Sequence, residues 1–337
     1  MKKVIFLLLP LLLITACEEN NPTISNDSLN VTINNYGSGM VCGGAVVTLN
    51  NKVYRSFEGG LASLDDMLNI NESDKIGNFD QSQVYHIEVI EDEVWFSLTN
   101  YTSFNEIKVL DFSGNITASY EAGIMPGDFA KWSNNDHSWV FVANEGNLGS
   151  SNGSISMIDQ NGNISHTESI GDVVQAIEVY GDKLIALVNN SHKIIVYSIT
   201  EDGLAMPGIE VSTNGSGPRD LVIVDDMAYF TNFVSQDVKV FNLFNYTFES
   251  SISVDGLPED IDYDGQYLWV TVPHSDLNFS TGNTVSKIDI NTNSIVETFE
   301  VGDGPQNLVF LNDDVYISRT YYDESFNAFH GSSRIQY

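Results

Sequence analysis

The chain has 337 residues, with 46 acidic side chains against 14 basic ones and a formal net charge of −32. So acidic a surface excludes nucleic acid as a partner, because a phosphate backbone is bound through clusters of Lys and Arg. Two cysteines in this length exclude a disulfide scaffold, and a chain this long can bury a large apolar core without one.

Met1 to Ala16 carries Lys2 and Lys3, then an apolar run from Val4 to Ile14 too short to span a bilayer, then Thr15-Ala16-Cys17. That is the layout of a secretion signal. Ile14-Thr15-Ala16-Cys17 resembles the lipobox of bacterial lipoproteins, whose cysteine is acylated as the signal is removed. The resemblance implies that residues 1–16 are a signal peptide, that Cys17 is the lipidation site and that the membrane is met through the lipid anchor only. Residues 17–28 begin Cys17-Glu18-Glu19 and continue in Asn, Ser and Asp, the composition of a flexible tether. An acidic pair at that place resembles the surface-export signal of Bacteroidetes lipoproteins. It implies an outer-membrane lipoprotein exposed on the cell surface, the alternative being a linker that faces the periplasm. With Cys17 lipidated, Cys42 has no disulfide partner.

From residue 29 to residue 337 one unit recurs. Its cleanest copy is Asp255 to Val301, where Glu259 to Tyr263 and Tyr267 to Val272 read as strands joined by an Asp264-Gly265 turn. A polar loop leads to Thr284 to Ile290, and Asn291-Thr292-Asn293 turns the chain into Ile295 to Val301. Trp269 on the second strand has equivalents at Tyr54, Trp95, Val140, Ile185, Tyr229 and Tyr316. The seven are spaced by 41, 45, 45, 44, 40 and 47 residues, the period of four-stranded propeller blades. The predicted fold is therefore all-β, a seven-bladed β-propeller of four-stranded antiparallel blades. The blades fall at about 42–77, 84–122, 126–169, 174–211, 218–254, 258–301 and 305–337. The seventh copy lacks an outer strand, and residues 29–36, LNVTINNY, belong to no copy. They are predicted to pair beside Ser332 to Tyr337 and complete the last blade.

In a propeller, the segment leading into each first strand and the connection between second and third strands emerge on one face. Long connections, where function tends to sit, are expected at Asn144 to Gly153, Pro273 to Asn283 and Thr320 to Ser332. The candidate ligand-binding residues there are Asn144, Glu145, Asn147, His274, Tyr321 and Tyr322, with Arg319 just before the last of them. Tyr101, Phe104 and Phe233 join them from other copies. The first strands add a ring at the axis, Gly44, Tyr85, Gly127, Gln175, Arg219, Glu259 and Gln306. Next to it runs a second, Ala45, His86, Asp128, Ala176, Asp220, Asp260 and Asn307. Aromatics and amides on one face suit a flat small-molecule ligand. Asp128, Asp220, Asp260 and Asn307 could hold calcium through oxygen ligands, or could accept backbone hydrogen bonds in turns. No nucleophile elbow, zinc-protease motif, phosphate loop or dinucleotide fingerprint is present in the sequence, which favours a non-enzymatic protein with no cofactor.

Gly217-Pro218-Arg219-Asp220-Leu221 and Gly304-Pro305-Gln306-Asn307-Leu308, with strands such as Tyr229-Phe230-Thr231-Asn232 and Trp269-Val270-Thr271-Val272, resemble the YVTN, or YncE-like, seven-bladed propellers. The tetrad itself occurs only in altered forms. The lipobox, the acidic pair and Val142-Ala143-Asn144-Glu145-Gly146-Asn147 together resemble the surface propeller lipoproteins of Bacteroidetes, some of which bind cobalamin and pass it to a TonB-dependent transporter. The resemblance implies a surface protein for cobalamin or a related corrinoid. The alternatives are a metal-dependent lactonase-like hydrolase or lyase using His86, Asp128, Asp220, Asp260 and Asn307, and an adhesion or scaffolding propeller with a protein partner.

Overall fold

Second strands such as Glu93–Thr99 and Lys183–Val188 are β-branched, aromatic or aliphatic and buried over nearly their whole length, because both faces of a central strand meet other blades. Outer strands such as Thr247–Ser253 and Ser294–Glu300 are mostly polar and exposed. The structure, a computed structural model, describes residues 30–38, 44–325 and 327–336. The signal segment 1–16, the lipidation site Cys17, the tether 17–28 and Cys42 lie outside the described residues.

Among the described residues, 28 strands form seven antiparallel four-stranded sheets arranged in a ring. The innermost strands are Val46–Leu49, Val84–Ile90, Pro126–Ser133, Val174–Tyr180, Pro218–Val224, Ile261–Tyr263 and Pro305–Leu311. Each touches the innermost strand of the next blade, and the seventh touches the first. Apolar clusters fill the interfaces in turn. Leu61, Phe96 and Leu98 lie between blades 1 and 2, Phe141, Ile177 and Tyr197 between blades 3 and 4, and Trp269, Phe299 and Ile317 between blades 6 and 7.

The last blade closes as the sequence predicts. Asn30–Ser38 pairs antiparallel with Ala328–Gln336, from Asn30 opposite Gln336 to Ser38 opposite Phe329. Polar side chains concentrate at this seam. Arg319, 1% exposed, donates Nη2 to the Asn34 carbonyl at 3.0 Å and to Asn35 Oδ1 at 2.5 Å. Arg55, fully buried, donates to the Gly331 carbonyl and lies 5.2 Å over the Tyr36 ring. Tyr36 Oη and Asn34 Nδ2 both donate to the Leu68 carbonyl in blade 1.

Two expected long loops are in fact hairpins. Tyr267–His274 pairs with Thr281–Asp289, and Asp314–Tyr322 with Ala328–Gln336, so the open connections shrink to 275–280 and 323–327. The reason lies in the turn chemistry. Asp323 accepts the N–H groups of Ser325 and Asn327 and the Asn327 side-chain amide, all at 2.8–2.9 Å. Asp65, Asp111 and Asp159 repeat the device with Asn69, Asn115 and Asn163, a side chain standing in for the missing ladder bonds.

The blades are also latched by hydroxyl groups on second strands. Thr271 Oγ1 accepts the Asp260 N–H of its own blade at 3.0 Å and donates to the Gln306 carbonyl of the next at 2.7 Å. Thr231 does the same with Asp220 and Glu259, and Ser318 with Asn307 and Gly44 across the closing seam. Thr271→Val is expected to cost roughly 1–3 kcal/mol in denaturant unfolding, whereas Thr298→Val on the exposed face of an outer strand leaves stability unchanged. A chain starting at Gly44 loses the closing strand and leaves Arg319 without its Asn34 and Asn35 partners. Its Tm is expected to fall by roughly 10 °C or more, and a synthetic 30–38 peptide added in trans should restore part of the loss.

Candidate functional site

Five innermost strands carry an irregularity at the same place. The pairing slips between Val84 and His86, Pro126 and Phe129, Val174 and Ala176, Pro218 and Leu221, and Pro305 and Leu308. A bulge re-aims side chains, and here it brings two consecutive residues of each blade to the axis. The two rings anticipated from the sequence are thereby assembled: all fourteen of their residues, with Glu145, line one cavity of about 350 Å³. A second cavity of about 350 Å³ adjoins it and shares Ala45, His86, Asp128, Asp260 and Asn307.

The upper ring is a hydrogen-bonded network. Arg219 donates Nε to both oxygens of Glu259 at 3.1 Å and Nη1 to Gln175 Oε1 at 2.7 Å. Gln175 Nε2 in turn donates to Glu145 Oε1 at 3.3 Å. Burial raises both the Glu145 carboxyl and the Tyr85 phenol that hydrogen-bonds to it, and the Glu145 charge adds to the effect on Tyr85. Gln306 lies in the same wall, its Nε2 3.4 Å from the Thr320 carbonyl.

Aromatic side chains continue the network outward. Tyr101 meets Tyr85 edge to face at 6.0 Å, and Asn147 Nδ2 donates to the Tyr101 carbonyl at 3.1 Å. On the other side Arg219 lies 4.5 Å over the Phe233 ring, which touches His274 and Phe279. Among the described residues, Tyr101, Leu148, Val234, Leu277, Phe279 and Tyr322 are large apolar side chains 46–77% exposed. All six sit at second-to-third connections, so the face has apolar groups around a polar funnel. Phe279 is expected there from its place in the Pro273 to Asn283 connection; Leu148, Val234 and Leu277 extend the sequence-based site, and their position in these connections is the signal that finds them.

Other expected site residues do not line the axial cavity. Phe104 is half-buried against the cluster between blades 1 and 2. Asn144 is fully buried, its amide held by Ser154 and Ser156 at 3.2 and 2.9 Å. Arg319 pins the closing strand, as above. Tyr321 stacks on Phe329 at 5.4 Å in the blade 7 hairpin, and Tyr322 lies at the end of the same strand.

Carboxylates of the second ring make hydrogen bonds between blades. Asp128, Asp220 and Asp260 each accept a backbone N–H of the next blade, from Ile177, Ile261 and Leu308 at 2.7, 3.0 and 2.8 Å. Asn307 Nδ2 donates to the other oxygen of Asp260 at 3.2 Å. These contacts tie neighbouring blades together. Glu88, Glu178 and Asp262 form a further axial layer that the sequence reading missed. Two residues beyond the second ring, they lie on the same side of their strands.

Burial drives the acids of the lower channel upward. Glu178 rises to about 7 and Asp262 to about 6, with Glu88 and Asp220 adding repulsion at Glu178 and Asp264 at Asp262. Asp128, Asp220, Asp260 and Glu88 are raised for the same reason, and burial lowers His86 against the pull of Asp128, Glu145 and Asp220.

No protein-family model matches the chain, nor does any curated protein. Solved structures do. A computationally designed protein, Ika8, superimposes with a TM-score of 0.58 at 11% identity, covering 87% of this chain and 96% of its own. The WD40 domain of Neurospora crassa Pan2 gives 0.60 at 11% identity, covering 87% and 89%. The shared feature is the propeller fold.

The pH dependence of stability follows from these shifts. Raised acids contribute fully below their unfolded values near 4 and lose that contribution as pH climbs through the folded values. The turn acids Asp65, Asp111, Asp159 and Asp323 are lowered by their Asn partners and lose theirs as pH falls below about 4. Tm is thus expected to peak near pH 4 to 5 and fall toward pH 8. Glu178→Gln should recover roughly 2 kcal/mol at pH 8 and change little at pH 4, as read by thermal unfolding across pH.

Proposed function

We propose that the protein is a non-enzymatic binding propeller, held on the outer membrane through Cys17 and exposed at the cell surface, that captures a flat, amide-bearing small molecule on its funnel face. The ligand is cobalamin or a related corrinoid, handed on to a TonB-dependent transporter. One observation carries this reading: exposed Tyr101, Leu148, Val234, Leu277 and Phe279 flank a funnel lined by Tyr85, Gln175, Arg219 and Gln306. Apolar rims give stacking area, and a few fixed polar groups set orientation. A funnel of about 350 Å³ admits a side group of a corrinoid and leaves the macrocycle across the rim. The lipobox, the acidic pair and the Gly-Pro-x-Asp/Asn-Leu blade pattern support the same reading through the resemblance described above.

The hydrolase or lyase alternative draws on Asp220 and Asp260, and both already hold backbone N–H groups of the next blade. The test is equilibrium dialysis of the purified mature protein against cyanocobalamin, followed by its visible absorbance. Saturable binding is expected, weakened tenfold or so, about 1.4 kcal/mol, by Tyr101→Ala or Phe279→Ala. Absence of retained corrinoid, or equal affinity in both variants, would overturn the assignment.

A further inference from the structure

A triad halfway down the axis is left unused by the binding reading. His86 and Glu88 alternate on Val84–Ile90, so both face the same side, and Asp128 approaches from Pro126–Ser133 of the next blade. Ligand atoms of the three lie within 4.8 Å of one another. His86 and Asp128 line both axial cavities, which leaves an ion a route in and room for coordinated water.

Donor availability separates this triad from the other channel acids. Asp260 has one oxygen engaged by Leu308 N and the other by Asn307 Nδ2. Asp128, by contrast, gives Oδ2 to Ile177 N and keeps a second oxygen. Glu88 Oε2 is shielded from solvent without a hydrogen-bond partner, 3.6 Å from His86 Nε2, while the carboxyl group also takes the Phe129 N–H. A shielded carboxyl oxygen left in this way is completed by a proton or by a cation, and the His86 and Asp128 donors beside it favour the cation.

We propose that His86, Glu88 and Asp128 bind one divalent first-row transition-metal ion in the axial channel. One imidazole and two carboxylates suit zinc or manganese; calcium and magnesium prefer all-oxygen shells. Three protein ligands leave the remaining positions to water, and the ion ties blade 2 to blade 3. The site is independent of the corrinoid reading, since none of its three donors belongs to the apolar rim.

Titration calorimetry of the mature protein with zinc, manganese, calcium and magnesium chlorides tests it. One equivalent of zinc or manganese is expected to bind saturably and raise Tm, with calcium and magnesium at least tenfold weaker. Glu88→Gln should lower the zinc affinity tenfold or more, and Asp136→Asn, an exposed acid elsewhere, should not. Because the acidic surface attracts cations in general, crystals soaked in manganese provide a second reading. An anomalous peak between His86, Glu88 and Asp128 supports the site. No saturable equivalent, unchanged binding in a His86→Asn/Glu88→Gln protein, or a peak only elsewhere overturns it.

Discussion

Backbone N–H groups left outside the ladder where the innermost strands bulge set the terms for the rest of the molecule. One is taken by a hydroxyl of the same blade, as Asn307 N by Ser318, and the next by a carboxylate of the preceding blade, as Leu308 N by Asp260. An orphaned buried N–H costs about 1–3 kcal/mol, so blades 4, 6 and 7 rely on the preceding blade's aspartate to complete their own backbone. The same bulge turns the ring residues toward the axis. Ring closure and funnel geometry are therefore settled by one set of atoms, and aspartates that look free in the sequence are committed to architecture.

The closing seam is built differently from the interfaces before it. Pairing Asn30–Ser38 with Ala328–Gln336 joins opposite ends of the chain, the contact with the largest loop-closure cost and so the one expected to form late. Apolar side chains would tolerate a slipped register there. Arg319 and Arg55 do not: both are buried and held by specific groups of the closing strand, Arg319 by hydrogen bonds to Asn34 and Asn35 and Arg55 by the Tyr36 ring. A misplaced strand would leave a buried charge without partners. The arrangement specifies one pairing and keeps the edge of Ala328–Gln336 from recruiting another chain.

Much of this was legible in the sequence because a period of 40 to 47 residues leaves few architectures. Position within the repeat then carried over directly to position at the axis, which is why both rings were foreseen. What escaped had local causes. The hairpins at 275–280 and 323–327 read as loops, since their order comes from Asp276 and Asp323 folding onto nearby N–H groups rather than from strand-forming residues. The seam contacts of Arg319 were not legible because its partners Asn34 and Asn35 lie almost the whole chain away. The Glu88, Glu178 and Asp262 layer needed only the two-residue alternation of a strand, applied one step further than the second ring.

The closing strand also fixes how an anchored domain would stand. Tyr322 and Ala328 face each other next to the 323–327 connection on the funnel side, and Gln336 lies at the opposite end of that strand, paired with Asn30. Asn30 thus lies on the face opposite the funnel, so under the proposed anchoring through Cys17 the mouth would face away from the membrane. A net charge of −32 reinforces that posture by repelling anionic headgroups. Capture from the medium suits this orientation; delivery does not. Under the proposed function, a membrane-embedded recipient would have to reach the distal face.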